Sequence, residues 1–197
     1  KALPEGRATA MLADVSDAKD TAAYVNATVA RWGAIDVLFS NAGVSGVIRP
    51  VTDYPEDVFD QVMAVNLKGS FLACKYALPQ MRDGGSIVMT SSVVGVTSDP
   101  GIAAYAASKH ALIGLMRTVA KEVAARRIRV NVVAPGPIDN AFQREVESGL
   151  TQALGTDAGK FLDSVIPLGR HGGADAVART VLFLASEQSA FTTGSVV

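Results

Sequence analysis

Tyr105 and Lys109 stand four residues apart in AYAASKHAL, residues 104–112, a stretch otherwise built mostly of small side chains. On a helix that spacing stacks the phenol and the ammonium on one face. A tyrosine ordinarily titrates near pH 10, too high for ready proton exchange at neutral pH. Bringing it down by about 3 units takes roughly 4 kcal/mol of preferential stabilisation of the phenolate. A lysine ammonium one turn away is a source for that in a partly dry cleft. The pair therefore reads as a general acid–base group tuned by its neighbour. The competing reading is an ordinary helix-surface pair.

The elements that must position this pair are visible as alternating patterns. Near-continuous apolar runs at 7–15, 35–43, 85–92 and 128–136 read as buried strands, and GSVV at 194–197 begins another. Longer helical patterns lie between them, at 17–33 (closed by Gly33), at 54–85 with a bend near Asn66, at 101–127 and at 173–188. Strand and helix alternating in this way predict an α/β fold with a doubly wound, mostly parallel sheet, in a single Rossmann-like domain over 1–197. The weakly periodic, glycine-containing stretch 139–170 is expected to form a flap over the sheet's edge. Ligands of such sheets sit beyond the carboxyl ends of the strands. Those ends carry Asp14 and Val15, then Asn41, Ala42 and Gly43, then Ser91 and Ser92, then Pro135 and Gly136. Tyr105 and Lys109 follow the third of them by one loop and one helical turn.

Composition narrows the function classes. The 197 residues are 49% hydrophobic and 19% charged with a formal net charge of −1, which offers no basic excess for nucleic acid. No apolar run approaches the roughly 18 residues of a membrane span. Cys74 is the only cysteine, so no intramolecular disulfide can form, and a cytoplasmic setting is expected. No cluster of His, Cys and carboxylates has metal-ligand spacing. His110 and His171 read as structural or solvated, and Arg126, Arg127 and Arg129 as a solvated helix end. A serine hydrolase built on Ser91 or Ser92 with His171 lacks the Gly-x-Ser-x-Gly elbow.

Taken together, NAG at 41–43, Asn66 in VNL, the SS ending the third strand, YAASK at 105–109 and PG at 135–136 resemble the short-chain dehydrogenase/reductase family in type and order. Tyr105 follows Ser92 by thirteen residues, which also fits. The resemblance covers essentially the whole chain. It implies an NAD(P)-dependent oxidoreductase that interconverts a secondary alcohol and a ketone, with NAD or NADP as cofactor. Tyr105 would be the acid–base group, Ser92 a hydrogen-bond donor to the substrate oxygen, and Lys109 a partner of the nicotinamide ribose. Asn66 would hold a water that relays protons to Lys109. Asp14 and Val15 would meet the adenine, Asn41, Ala42 and Gly43 the adenosine side, and Pro135, Gly136 and Ile138 the nicotinamide. Asn140 stands where the family commonly has a threonine facing the carboxamide. The substrate would contact Val93, Val94 and the flap. Family members commonly pair two helices across a symmetric interface. The surplus of apolar and small residues at Phe71, Ala73, Cys74, Ala77, Ala111, Leu115, Met116 and Val119 therefore implies a homodimer or homotetramer.

The family's glycine-rich phosphate loop and the residue that separates NAD from NADP would precede Lys1. The chain is therefore expected to be a portion of a longer one, short of an N-terminal βαβ unit of roughly 40–60 residues, and unable alone to fold stably or hold a dinucleotide. A non-catalytic nucleotide-binding or scaffold member of the same fold is the alternative, which an intact Ser92, Tyr105 and Lys109 disfavours. Local alternatives stand beside each role. Ser91 competes with Ser92, Asp14 could cap the following helix, Asn66 could bond only to local backbone, and NAG could be a tight turn.

Overall fold

The computed structural model describes residues 6–197. Three parallel strands form its sheet, in the order β1 (Ile35–Ser40), β2 (Met81–Thr90), β3 (Arg129–Val133). A fourth extended segment lies parallel to β3, with Val132 and Ala134 donating to the carbonyls of Ser195 and Val197. The residue types explain the pairing. In β2 the side chains of Ile87, Val88 and Met89 are all fully buried, because both faces are covered. Ile87 and Met89 point into the larger core with Val130 and Val132, while Val88 and Val133 point the other way.

Helix α1 (Ala18–Trp32) starts where the Asp17 carboxylate accepts from the amides of Lys19 and Asp20 and ends at Gly33, whose φ of 82° favours a residue without Cβ. It packs on the larger core with α3 (Gly69–Ala77) and α4 (Ala103–Glu122), through Val25, Cys74, Ala77, Leu112 and Met116. Helix α7 (Ala174–Ala185) covers the opposite face through Val177, Val181 and Leu184. Arg129 lies buried under that helix and donates to the carbonyls of Leu184 and Ser186 and to Ser189 Oγ.

Four expectations are corrected here. The run 7–15 forms no strand: it has no ladder partner among the described residues, and Leu12 is fully exposed. Apolar patterning alone does not make a strand when the N–H and C=O groups lack a neighbour. The pattern at 54–85 is not one helix. It divides into α2 (Glu56–Val62), a π-helical turn Met63–Lys68 and α3, after which β2 already begins at Met81. The expected bend near Asn66 is that π turn. The stretch 139–170 contains two helices, α5 (Ala141–Leu154) and α6 (Ala158–Val165), the first capped by Asn140 and the second by Asp157. Arg129 is no solvated cation, and neither is Arg126, which donates to the carbonyls of Leu78 and Met81 and to Asp83. Of the eight residues assigned to a subunit interface, Ala73, Cys74, Ala77, Met116 and Val119 are buried within the chain itself; Phe71 is 47% exposed.

Candidate active site

The carboxyl end of β2 and the first turns of α4 bring together what the spacing of Ser92, Tyr105 and Lys109 suggests. Three consecutive residues bear on the Tyr105–Lys109 turn. The Thr90 carbonyl accepts from Lys109 Nζ at 2.8 Å, Ser91 Oγ donates to the Lys109 carbonyl at 2.8 Å, and the Ser92 hydroxyl, which accepts from Val94 N at 3.3 Å, stands beside the Tyr105 phenol. Lys109 Nζ also lies 5.4 Å from the centre of the Tyr105 ring. The competition between the serines is resolved by direction: Ser91 is 2% exposed and turned into α4, whereas Ser92 faces the cleft.

The electrostatics differ from the sequence-based expectation. Burial raises the Tyr105 phenol above its ordinary value, with the Ser92 hydrogen bond opposing it. Burial also lowers Lys109, to about 8. Each group is thus pushed toward its neutral form because the cleft is dry, and this outweighs the help each charge would give the other. Lowering the phenol therefore requires positive charge beyond that of Lys109.

Asn66 is held by the π turn and is 1% exposed. Its Oδ1 accepts from Val44 N at 2.8 Å, and its Nδ2 donates to the Val44 carbonyl at 3.0 Å and to Ser108 Oγ at 3.0 Å. Ser108 Oγ in turn donates a hydrogen bond to the Tyr105 carbonyl at 2.8 Å. All three side-chain valences of Asn66 accounted for here go to protein groups, so its bonds reach beyond the local backbone to both the NAG loop and α4. Gly43 explains the absent Cβ in NAG. A methyl there would sit 3.2 Å from Asn66 Oδ1 and 3.4 Å from Lys109 Nζ, so a side chain would crowd the loop against both groups. Residues 41–43 form no hydrogen-bonded turn. Asn41 Oδ1 accepts from Thr90 Oγ1 at 2.9 Å, which ties the ends of β1 and β2.

A cavity of about 250 Å³ opens beside this loop, lined by Val15, Phe39, Asn41, Ala42, Gly69 and Ser70 among others. Asp14 lies exposed near it and accepts from Ser16 N and Ser16 Oγ, bonds that hold its carboxyl below the usual range; Asp17, not Asp14, caps α1. Pro135 accepts from Val93 N at 2.9 Å, which sets the PG turn against the β2 end. Ile138 pairs with Gly172, where a Cβ would collide with the Ile138 side chain. Asn140 Oδ1 accepts from Gln143 N at 2.8 Å, so its amide oxygen is engaged as a helix cap. Phe142 of α5 lies 6.3 Å from the Tyr105 ring, so the flap reaches the phenol. Small side chains, a bare glycine and a cavity at the strand ends fit a flat, extended ligand such as a dinucleotide.

Sequence reasoning did not single out Thr90, Ser108, Gly95 or Phe142. Ser108 had a signal within YAASK, since it neighbours Lys109; a backbone carbonyl such as that of Thr90 has none.

Comparison with known proteins agrees with this architecture. A family model described as enoyl-(acyl carrier protein) reductase matches residues 1–197. The chain is 42% identical over 194 residues to 3-oxoacyl-(acyl-carrier-protein) reductase FabG of Thermotoga maritima, covering 98% of this chain and 75% of that protein. It is 36% identical over 199 residues to levodione reductase of Leifsonia aquatica, covering 98% and 73%. The crystal structure of levodione reductase superposes with a TM-score of 0.91 over 95% of this chain and 73% of that one. NAD+-bound xylitol dehydrogenase, 34% identical, gives 0.88 over 95% and 76%. No described helix is long and apolar enough to cross a membrane. On its strand order, its site and this match over its whole length, the chain belongs to the short-chain dehydrogenase/reductase family and is an oxidoreductase using NAD or NADP.

Proposed function

We propose that this chain interconverts a secondary alcohol and a ketone with Tyr105 as the acid–base group. The observation that carries the reading is the convergence of Ser92, Tyr105 and Lys109 at the end of β2, with Lys109 buried and the other two half-buried. The nicotinamide cofactor, when bound, supplies or accepts the hydride. In the direction of reduction, Ser92 donates a hydrogen bond to the substrate oxygen as negative charge develops there. Tyr105 Oη gives that oxygen its proton, and the Lys109 ammonium favours the phenolate left behind. A phenol held protonated by burial suits the acid role in the resting enzyme.

Lys109, with Tyr105 beside it, would hold the nicotinamide ribose. Pro135, Gly136 and Ile138 would border the ring, Asn41, Ala42 and Gly43 the adenosine side, and Asp14 with Val15 the adenine. Asn66 would hold the NAG loop, Ser108 and a relay water in one place, a role supported by its bonds to Val44 and Ser108. Val93, Val94 and Phe142 make the substrate wall mainly apolar. The relatives named for an oxoacyl chain and for xylitol act on a ketone and a polyol, which agrees with this reaction class. A homodimer or homotetramer in the cytoplasm completes the proposal.

The test follows nicotinamide absorbance with a panel of secondary alcohols and ketones. Tyr105→Phe should lower turnover at least about 10²-fold while cofactor affinity changes little. Near-normal turnover in that variant would remove Tyr105 from the mechanism.

A further inference from the structure

We propose that Ser91 is a positioning residue for the reaction: its hydroxyl locks the backbone of Lys109 to the end of β2 and so sets where the ammonium and the Tyr105 phenol meet. This inference rests on the alcohol–ketone reading given above. Ser91 N donates to the Val133 carbonyl at 2.8 Å, which anchors the residue to β3. Its Oγ, buried with the rest of the side chain, donates to the Lys109 carbonyl. That carbonyl lies inside α4, where the helix satisfies it without a serine. The added bond therefore serves registration of α4 against the sheet rather than rescue of an orphan acceptor.

A second observation points the same way. Gly95, in the 3-10 turn Val93–Gly95 after Ser92, is buried against this bond. A Cβ there would run into Ser91 Oγ and come within 3.0 Å of the Lys109 carbonyl. Its φ is not positive, so the glycine is needed for space and not for backbone freedom. Thr90, Ser91 and Ser92 thus divide one task. Thr90 holds the lysine head, Ser91 the lysine backbone, and Ser92 stands beside the phenol. Without the middle bond, the first turns of α4 lose one tie to the end of β2, and a small shift there moves Tyr105 and Lys109 relative to Ser92.

The experiment compares wild type with Ser91→Ala, with the near-isosteric but weakly donating Ser91→Cys, and with Gly95→Ala, each checked by thermal melting. The expected result is a fall in kcat of about tenfold in all three, with KM for cofactor and substrate within about twofold, because bound groups are misaligned rather than lost. The Ser91→Ala/Gly95→Ala double variant should be no slower than the worse single one, since both break the same contact. Competitive acetylation of Lys109, read by mass spectrometry across pH, gives a readout that does not depend on turnover. Its midpoint should move upward in Ser91→Cys as water reaches the ammonium. A folded Ser91→Cys with unchanged kcat and an unchanged Lys109 midpoint would overturn the proposal, leaving Ser91 purely structural. If wild type turns over no alcohol or ketone while the Lys109 midpoint still moves, the reaction assigned above is wrong and the Ser91 lock stands. An unmoved midpoint in that case sinks both.

Discussion

Lys109→Met should stabilise the folded chain at neutral pH while abolishing catalysis. Lys109 is 3% exposed, and burial lowers it from 10.5 to about 8. A displacement of that size corresponds to a cost of about 3 kcal/mol for carrying the charged form at pH 7. Two gains of the lysine oppose it. The Nζ bond to the Thr90 carbonyl contributes about 1 kcal/mol, and the ammonium over the Tyr105 ring about 0.5–1 kcal/mol. Methionine fills similar volume without charge, so the variant is expected to be more stable by about 1–2 kcal/mol at pH 7. The sign with pH follows from a folded-state value below the unfolded one. Between about 8 and 10.5 the unfolded chain holds the proton that the folded chain has released, so wild-type stability rises across that window and the advantage of methionine shrinks. Urea unfolding of both proteins at pH 7 and pH 10, without cofactor, measures both quantities. A variant less stable than wild type at pH 7, or a difference that does not narrow toward pH 10, would refute the reasoning that Lys109 is held charged at a cost.

Asn66→Asp keeps the acceptor for Val44 N but sets a carboxylate against the Val44 carbonyl and Ser108 Oγ. It should lose about 3 kcal/mol at neutral pH and less near pH 5, where the new group, its pKa raised by burial, holds its proton; a pH-independent loss in urea melts would contradict this. His171 is gripped between Glu147 of α5 and Asp163 of α6 at 2.7 and 2.8 Å, with Gln143 also on Glu147 and Arg170 alongside. Burial opposes its charged form, but the two carboxylates prevail and raise its pKa. Stability from this clamp is therefore complete below about pH 6.5 and lost as pH rises through the raised value, so wild type should weaken across that window while His171→Gln stays flat in urea melts. For assembly, light scattering should show a homodimer or homotetramer, and Phe71→Glu, at the most exposed of the residues assigned to the interface, should shift it toward monomer; a wild-type monomer at micromolar concentration would end that proposal.

The parallel sheet was legible because strands buried on both faces must be apolar throughout, and 85–92 and 128–136 have no other use for such runs. The C-terminal cap of α1 was legible for the same local reason, since Gly33 acts within one turn of where it stands; the N-terminal cap, Asp17 rather than Asp14, was not. The candidate trio of Ser92, Tyr105 and Lys109 was legible as residue types, because a proton donor, a cation and a hydroxyl must be of particular kinds, and two of them share one helical face. Other features are products of packing. Whether 7–15 forms a ladder depends on a neighbour, not on its own residues. The helices of 139–170 have short, glycine-broken patterns that gain stability only from each other and from His171 between them. The directions of the Tyr105 and Lys109 shifts depend on how far each group is taken from water, which no spacing records. Residue type and short-range periodicity therefore pointed to the groups that could carry chemistry and to the strands and helices that stand on their own patterning. Tertiary structure alone decided that Ser92 rather than Ser91 faces the cleft, that Asn66 ties loop to helix, and that the cleft is dry, because each depends on contacts between residues far apart in the chain.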